Sequence, residues 1–166
     1  MSPKKWKMNK LPIIEGRSCD GCTKCCEGYL AGDIRGHWMG IAPDGVNKPC
    51  FFLELGKGCK EYEKRPVDPC RTFKCDYLTN KDVPEAFKPS RANAIFTTRT
   101  VKGIEYIQLI EAGRKLDSEV LSWAMSYALA NNLNFAWRVL ENIFWIGDEA
   151  FNKMMDEDYP LIQSET

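Results

Sequence analysis

The residues with the clearest chemical potential are cysteines. Cys19-Asp20-Gly21-Cys22-Thr23-Lys24-Cys25-Cys26 forms a C-x2-C-x2-C-C run, and Cys50, Cys59, Cys70 and Cys75 follow at gaps of eight, ten and four residues. Two residues between cysteines let a tight loop aim two thiolates at one ion, and Gly21 eases such a turn. Three cysteines at this repeat have the bacterial ferredoxin spacing, in which a fourth ligand comes from elsewhere. Cys26 directly follows Cys25, and extended backbone would point the two sulfurs in opposite directions, towards different sites or different roles. The gaps in the second set are too long for one compact knuckle, so the fold must gather those four thiols. Eight thiols divide into two four-sulfur sites, or form one larger cluster with cysteines to spare.

Charge fits a metal. Four thiolates around Zn²⁺ or a [4Fe–4S]²⁺ core carry a net charge of about −2, which nearby donors must offset. Lys24, Lys48, Lys57, Lys60, Lys64, Arg65, Arg71 and Lys74 lie in this region. Arg65 and Arg71 are the favoured supporting donors, because a guanidinium forks to several acceptors and stays charged. His37 is the single histidine. Beside Gly36 and Trp38 it reads as structural or exposed rather than as a ligand, and one histidine leaves no basis for a His-rich zinc site or a Cys–His catalytic pair. No Ser-His-Asp set is present. Gly28-x-x-x-Gly32 and Gly56-Lys57-Gly58 lack the strand–turn–helix setting of a nucleotide loop.

Around these residues the chain is an ordinary globular sequence of 166 residues, 44% apolar and 28% charged, with zero formal net charge. Nothing global favours nucleic acid or a membrane surface. Residues 1–18 carry Lys4, Lys5, Lys7, Lys10 and Arg17 against Glu15 alone, which reads as a solvated, frayed arm, and residues 76–166 carry fourteen acids against nine bases. No apolar h-region follows the basic start, and no stretch nears the roughly 20 apolar residues of a membrane span. A reducing, cytoplasmic compartment is expected, where clustered cysteines are better read as metal ligands than as disulfides.

All eight cysteines precede residue 76. The expected architecture is therefore α+β: a small single domain over 1–166, with a loop-rich, metal-stapled cysteine half (19–75) and a hairpin and helix half (90–158). The cysteine half reads as loops and short helical turns, with one helix near Lys57–Lys64 ending before Pro66. The runs 94–100 and 104–110, joined by Val101-Lys102-Gly103, predict a hairpin. Asp117 reads as an N-cap for a helix with Val120, Leu121, Ala124 and Ala128 on one face, ending at Asn131-Asn132. Phe135, Trp137 and Val139, then Ile143-Phe144-Trp145-Ile146, predict a second hairpin with core aromatics. A last helix is expected from about Asp148 to Met155.

The cysteine pattern resembles the CxxCxxCC cysteine-cluster family, described as zinc- or iron-chelating domains. The resemblance is carried by Cys19, Cys22, Cys25 and Cys26, then Pro49-Cys50, Cys59-Lys60-Glu61-Tyr62-Glu63-Lys64-Arg65-Pro66, and Cys70-Arg71-Thr72-Phe73-Lys74-Cys75. It covers about residues 19–75. It implies that all eight cysteines serve the metal, and it favours an iron–sulfur cluster of the 4Fe–4S kind over Zn²⁺. A larger relative that methylates flagellin lysines is described as holding an iron–sulfur cluster, but methylase activity is not implied here. In compact size and aromatic-rich tail the chain looks like proteins encoded by marine bacteriophages, which would place it in a host cytoplasm. The expected role is electron transfer, sensing or cluster handling. The alternative is a zinc-stabilised module whose aromatic half meets a protein partner, and a third is a cluster-dependent modifying enzyme.

Overall fold

The computed structural model describes residues 12–19, 22–71, 73–113, 115–139 and 142–159. Lys4, Lys5, Lys7 and Lys10 of the basic arm, and Asp20 and Gly21 of the first cysteine turn, lie outside the described residues. The fold is α+β.

The cysteine half contains more β-structure than its sequence suggests. Strands β1 (Gly32–Ile34), β2 (His37–Ile41) and β3 (Asn47–Lys48) form a small antiparallel sheet, and β4 (Leu53–Glu54) pairs with β5 (Gly58–Cys59). Strands this short carry too few alternating positions to show a period of two. The β1–β2 turn does leave a trace: Arg35 and Gly36 both take positive φ, 52° and 83°, as a tight twisted hairpin turn requires. The helix expected over Lys57–Lys64 is replaced by β5 and a single 3₁₀ turn at Tyr62–Lys64. Positive φ at Gly56 and Gly58 breaks any helix there.

After one wide helical turn at Val67–Arg71, the chain forms the short helices α1 (Asp76–Thr79) and α2 (Pro89–Ala92). It then enters a four-stranded sheet of β6 (Ala94–Val101), β7 (Ile104–Glu111), β8 (Asn134–Val139) and β9 (Asn142–Ile146), ordered β6-β7-β8-β9. Helix α3 (Ser118–Ala130) links β7 to β8, and α4 (Glu149–Asp158) follows β9. Both expected hairpins form. Lys102 and Gly103, at φ 51° and 77°, make the first turn. The Asp117 carboxylate accepts the Glu119 N–H at 2.8 Å and caps α3. Asp148 does the same for α4 by accepting from Phe151 N at 2.8 Å, and that helix runs past Met155 to Asp158.

The two hairpins join through a parallel β7–β8 pairing, with Leu109 opposite Trp137. A parallel pair needs a crossover, and α3 is that crossover. One sheet face presents Phe96, Leu109 and Phe135 to Val120, Ala124 and Ala128 of α3 and to Tyr77 and Leu78 of α1. The other face is shared: α4 covers Tyr106 and Ala136 with Phe151, Met154 and Met155, while Tyr29, Leu30, Phe73 and Cys75 cover Ile95, Ile110 and Ala112. Of the tail aromatics, Phe135 is fully buried, but Phe144 remains 47% exposed, stacked on Trp137. Among the described residues, no helix is long and apolar enough to cross a membrane.

Candidate metal centre

Local turns bring the thiols together. Cys22 N donates to the Cys19 carbonyl at 2.8 Å, closing the first spacing. Lys24–Cys26 form a 3₁₀ turn, steadied where Thr23 Oγ1 donates to Glu27 Oε2 at 2.8 Å. This turn overrides the expectation that Cys25 and Cys26 point opposite ways. That expectation assumes extended backbone, whereas successive side chains of a 3₁₀ turn step about a third of a circle. Their sulfurs lie 4.0 Å apart.

Beyond Cys26 the chain presses against β3. At Gly28, φ is +92° and an added Cβ would sit 2.6 Å from the Lys48 carbonyl oxygen. This close approach lets Cys50 N donate to the Cys26 carbonyl at 2.8 Å. Cys26, Cys50 and Cys70 then share one apolar cluster with Ile34, Met39, Phe52 and Leu53. Cys59 stands opposite Leu53 in the β4–β5 hairpin. Cys75 packs elsewhere, on Ile95, Ile110 and Ala112 of the main sheet, immediately before α1.

The chain leading into Cys19 is tied beside Cys75. Ile14 N donates to the Leu78 carbonyl at 2.8 Å. Arg17, expected in a frayed arm, instead donates from Nη1 to the carbonyls of Tyr77 (2.6 Å) and Asn80 (3.0 Å), and from Nη2 to Val83 (2.7 Å).

Burial pushes the thiols of Cys19, Cys50 and Cys70 up, and takes Cys75 to about 12. Cys26 goes the other way. The hydrogen bond between the two sulfurs brings Cys26 down to about 7 and holds Cys25 well above the ordinary thiol value. Charge from neighbouring thiols adds to the rise at Cys19, Cys25, Cys50, Cys70 and Cys75, and the Arg65 guanidinium opposes it at Cys19 and Cys70 and helps lower Cys26. Lys88, outside the sequence-defined region, also acts on Cys19.

The two supporting arginines differ. Arg65 lies over the Tyr62 ring at 3.9 Å, and its Nε is buried with no hydrogen-bond partner. Arg71 is exposed and donates to the carbonyls of Arg65 (3.1 Å) and Glu63 (2.8 Å), so it braces the loop that carries Arg65. His37 is exposed and stacks on Phe51 with ring centroids 4.1 Å apart. The structure adds one residue the sequence did not mark: Asp76, next to Cys75, is 4% exposed and accepts the Thr98 hydroxyl at 2.8 Å. Burial raises its carboxyl to about 6.

Among the described residues, no three His, Cys, Asp or Glu side chains converge to the spacing a bound ion would impose. The thiols are neighbours rather than a closed coordination shell. Two features of the chain nonetheless suit an anionic metal–thiolate group. A buried guanidinium N–H beside three of the thiols lacks an acceptor, and an unsatisfied buried donor is costly. The apolar cluster at the cysteines holds only Ile34, Met39 and Cys50 as buried members, a small core for so long a segment, which is the situation in which metal binding supplies folding energy. Comparisons with protein-family models, with curated proteins and with solved structures give no match.

Proposed function

We propose that this chain is a metal-binding protein whose cysteines hold iron–sulfur, with a role in electron transfer, sensing or cluster handling. The observation that carries the reading is Arg65: its buried Nε lacks an acceptor, and its charge acts on Cys19, Cys26 and Cys70. A guanidinium in that position meets the requirement of an anionic cluster for nearby donors, because hydrogen bonds and charge around the sulfurs tune such centres. The ferredoxin-like spacing of Cys19, Cys22 and Cys25 and the CxxCxxCC resemblance favour iron–sulfur over zinc. Bound iron–sulfur would supply one-electron chemistry. The chain itself would supply eight thiolate donors, the Arg65 counter-charge and an apolar wall at Ile34, Met39 and Phe52.

Purification under anaerobic conditions, followed by iron, zinc and acid-labile sulfide analysis, tests this. A brown protein with iron and sulfide in comparable amounts is expected. Colourless protein with stoichiometric zinc overturns the iron–sulfur reading, and protein that takes up neither metal overturns metal binding altogether.

A further inference from the structure

We infer that the second face of the main sheet carries a binding site for a small oxyanion, a phosphate or carboxylate group, formed by Thr97, Arg99, Gln108 and Arg138. It stands apart from the cysteines and does not depend on the metal-binding reading.

Strand register gathers the four side chains. Phe96 faces α3, and the Thr98 hydroxyl reaches Asp76 on that same side, so alternation turns Thr97 and Arg99 to the other face. Thr97 stands directly opposite Gln108 of β7, which in turn stands beside Ala136 of β8. Arg138 follows two positions along β8, on the same face and opposite Ile110. This face has two apolar covers, α4 over Tyr106 and Ala136, and the Tyr29, Leu30 and Phe73 group over Ile95 and Ile110. The row of Thr97 and Gln108 runs between them, and both residues are only 3% exposed. They form the floor of a polar seam, with the half-buried Arg99 and Arg138 at its rim.

The hydrogen bonding of the seam is incomplete. Arg99 Nη1 donates to Gln108 Oε1 at 2.9 Å, and Arg138 Nη2 donates to the Tyr29 carbonyl. That bond uses one of the five N–H donors of the Arg138 guanidinium. Among the described residues, the buried Thr97 Oγ1 has no hydrogen-bond partner, which is costly for a hydroxyl.

Charge is unbalanced in the same place. Among the described residues, the positions of β6 to β9 on this face include two arginines and no Asp or Glu. Glu105 and Glu111 alternate to the opposite face, where Glu111 accepts from Leu116 N. Asp158, at the end of α4, is held by Lys102 at 2.9 Å. Burial and the Arg99 charge both push the Arg138 guanidinium below its ordinary value, and the nearby Tyr159 phenol is neutral near pH 7. An oxyanion offers what the seam lacks: negative charge for two guanidiniums and an acceptor for the Thr97 hydroxyl.

The test titrates the full chain, as purified anaerobically, with inorganic phosphate and separately with acetate. Ionic strength and pH are held constant with chloride, and amide shifts and the thermal midpoint are followed. Saturable shifts centred on Thr97, Gln108 and Arg138, with a rising midpoint, are expected. Saturation by phosphate alone marks the site as a phosphate site, and saturation by acetate as well marks it as a general carboxylate and phosphate site. Arg138→Gln should weaken binding about tenfold or more, and the isosteric Thr97→Val about fivefold. Saturation by neither anion overturns the proposal. So does binding that leaves these residues unshifted or survives both substitutions, which would mark an adventitious ion only. Should Arg138→Gln fail to fold, Thr97→Val and the wild-type shift map decide.

Discussion

The guanidinium of Arg17 donates to the carbonyl oxygen of Tyr77 at 2.6 Å and also lies 4.7 Å above that residue's ring. With Asn80 and Val83 as further acceptors and Glu85 at 3.4 Å, one side chain collects the carbonyls around the end of α1. Helix C-termini leave carbonyls without partners, and here a residue two positions before Cys19 supplies the donors.

Arg17→Ala therefore loses several charge-assisted hydrogen bonds from a side chain only 10% exposed. Urea unfolding of the reduced, loaded chain should show a loss of about 2–4 kcal/mol. Arg17→Lys should recover only part, since a compact ammonium lacks the planar spread with which Nη1 and Nη2 reach the Tyr77, Asn80 and Val83 carbonyls together. A change within about 0.5 kcal/mol would remove Arg17 from any tethering role.

Gly28→Ala should cost more than Gly36→Ala. Both glycines have positive φ, but a Cβ at Gly36 meets nothing within 4 Å, while one at Gly28 lands 2.6 Å from the Lys48 carbonyl oxygen. Gly36→Ala should pay only the left-handed backbone cost, about 1–2 kcal/mol. Gly28→Ala adds a backbone clash where β3 meets the cysteine turn, and should also lower metal content. Equal midpoints in denaturant for the two variants would contradict the close approach.

Asp76 predicts a pH effect of defined sign. Its folded value of about 6 lies above the ordinary 3.8, so folding favours its protonated form. Its favourable contribution is fully present below about pH 4 and is lost as pH rises through about 6. Above that the buried carboxylate costs on the order of 3 kcal/mol. Asp76→Asn keeps an acceptor for the Thr98 hydroxyl and removes the charge. The variant should gain most over the wild type at pH 7.5, about half as much at pH 5 and little at pH 3.5, measured by thermal unfolding of the reduced, metal-free chain. A gain independent of pH would show that ionisation of Asp76 is not its source.

Cys26 should be the first thiol of the metal-free protein to ionise. Its alkylation rate should rise with a midpoint near pH 7. Cys25→Ala removes that hydrogen bond and should shift the midpoint upward, towards ordinary thiol values. Rates followed residue by residue by mass spectrometry would give the profile, and an unchanged midpoint in the variant would rule out the Cys25 hydrogen bond as cause.

Much of the C-terminal half was legible because its signals are local. Eight-residue strands joined by Lys102-Gly103, and an Asp117 cap followed by apolar residues at helical spacing, need no tertiary information. The β7–β8 pairing was not legible, since nothing in either strand states its partner and the pairing depends on α3 crossing the sheet. The small strands around the cysteines are not legible because elements of two to five residues hold too few positions to show a period. Arg17 was misread for a similar reason: its partners are backbone carbonyls, which no side-chain pattern reveals. The cysteines themselves were conspicuous, but their grouping depends on the Gly28 approach, the β4–β5 hairpin and the seat of Cys75, all products of the folded chain.

That seat for Cys75 imposes a schedule on biogenesis. Its walls, Ile95, Ile110 and Ala112, are translated after it. The apolar surroundings of Cys26, Cys50 and Cys70 are complete once the ribosome has passed Cys70. Because synthesis runs from the N-terminus and domains fold as they emerge, Cys26, Cys50 and Cys70 can settle on the nascent chain. Cys75 must wait, still reactive, until the β6–β7 hairpin has left the exit tunnel.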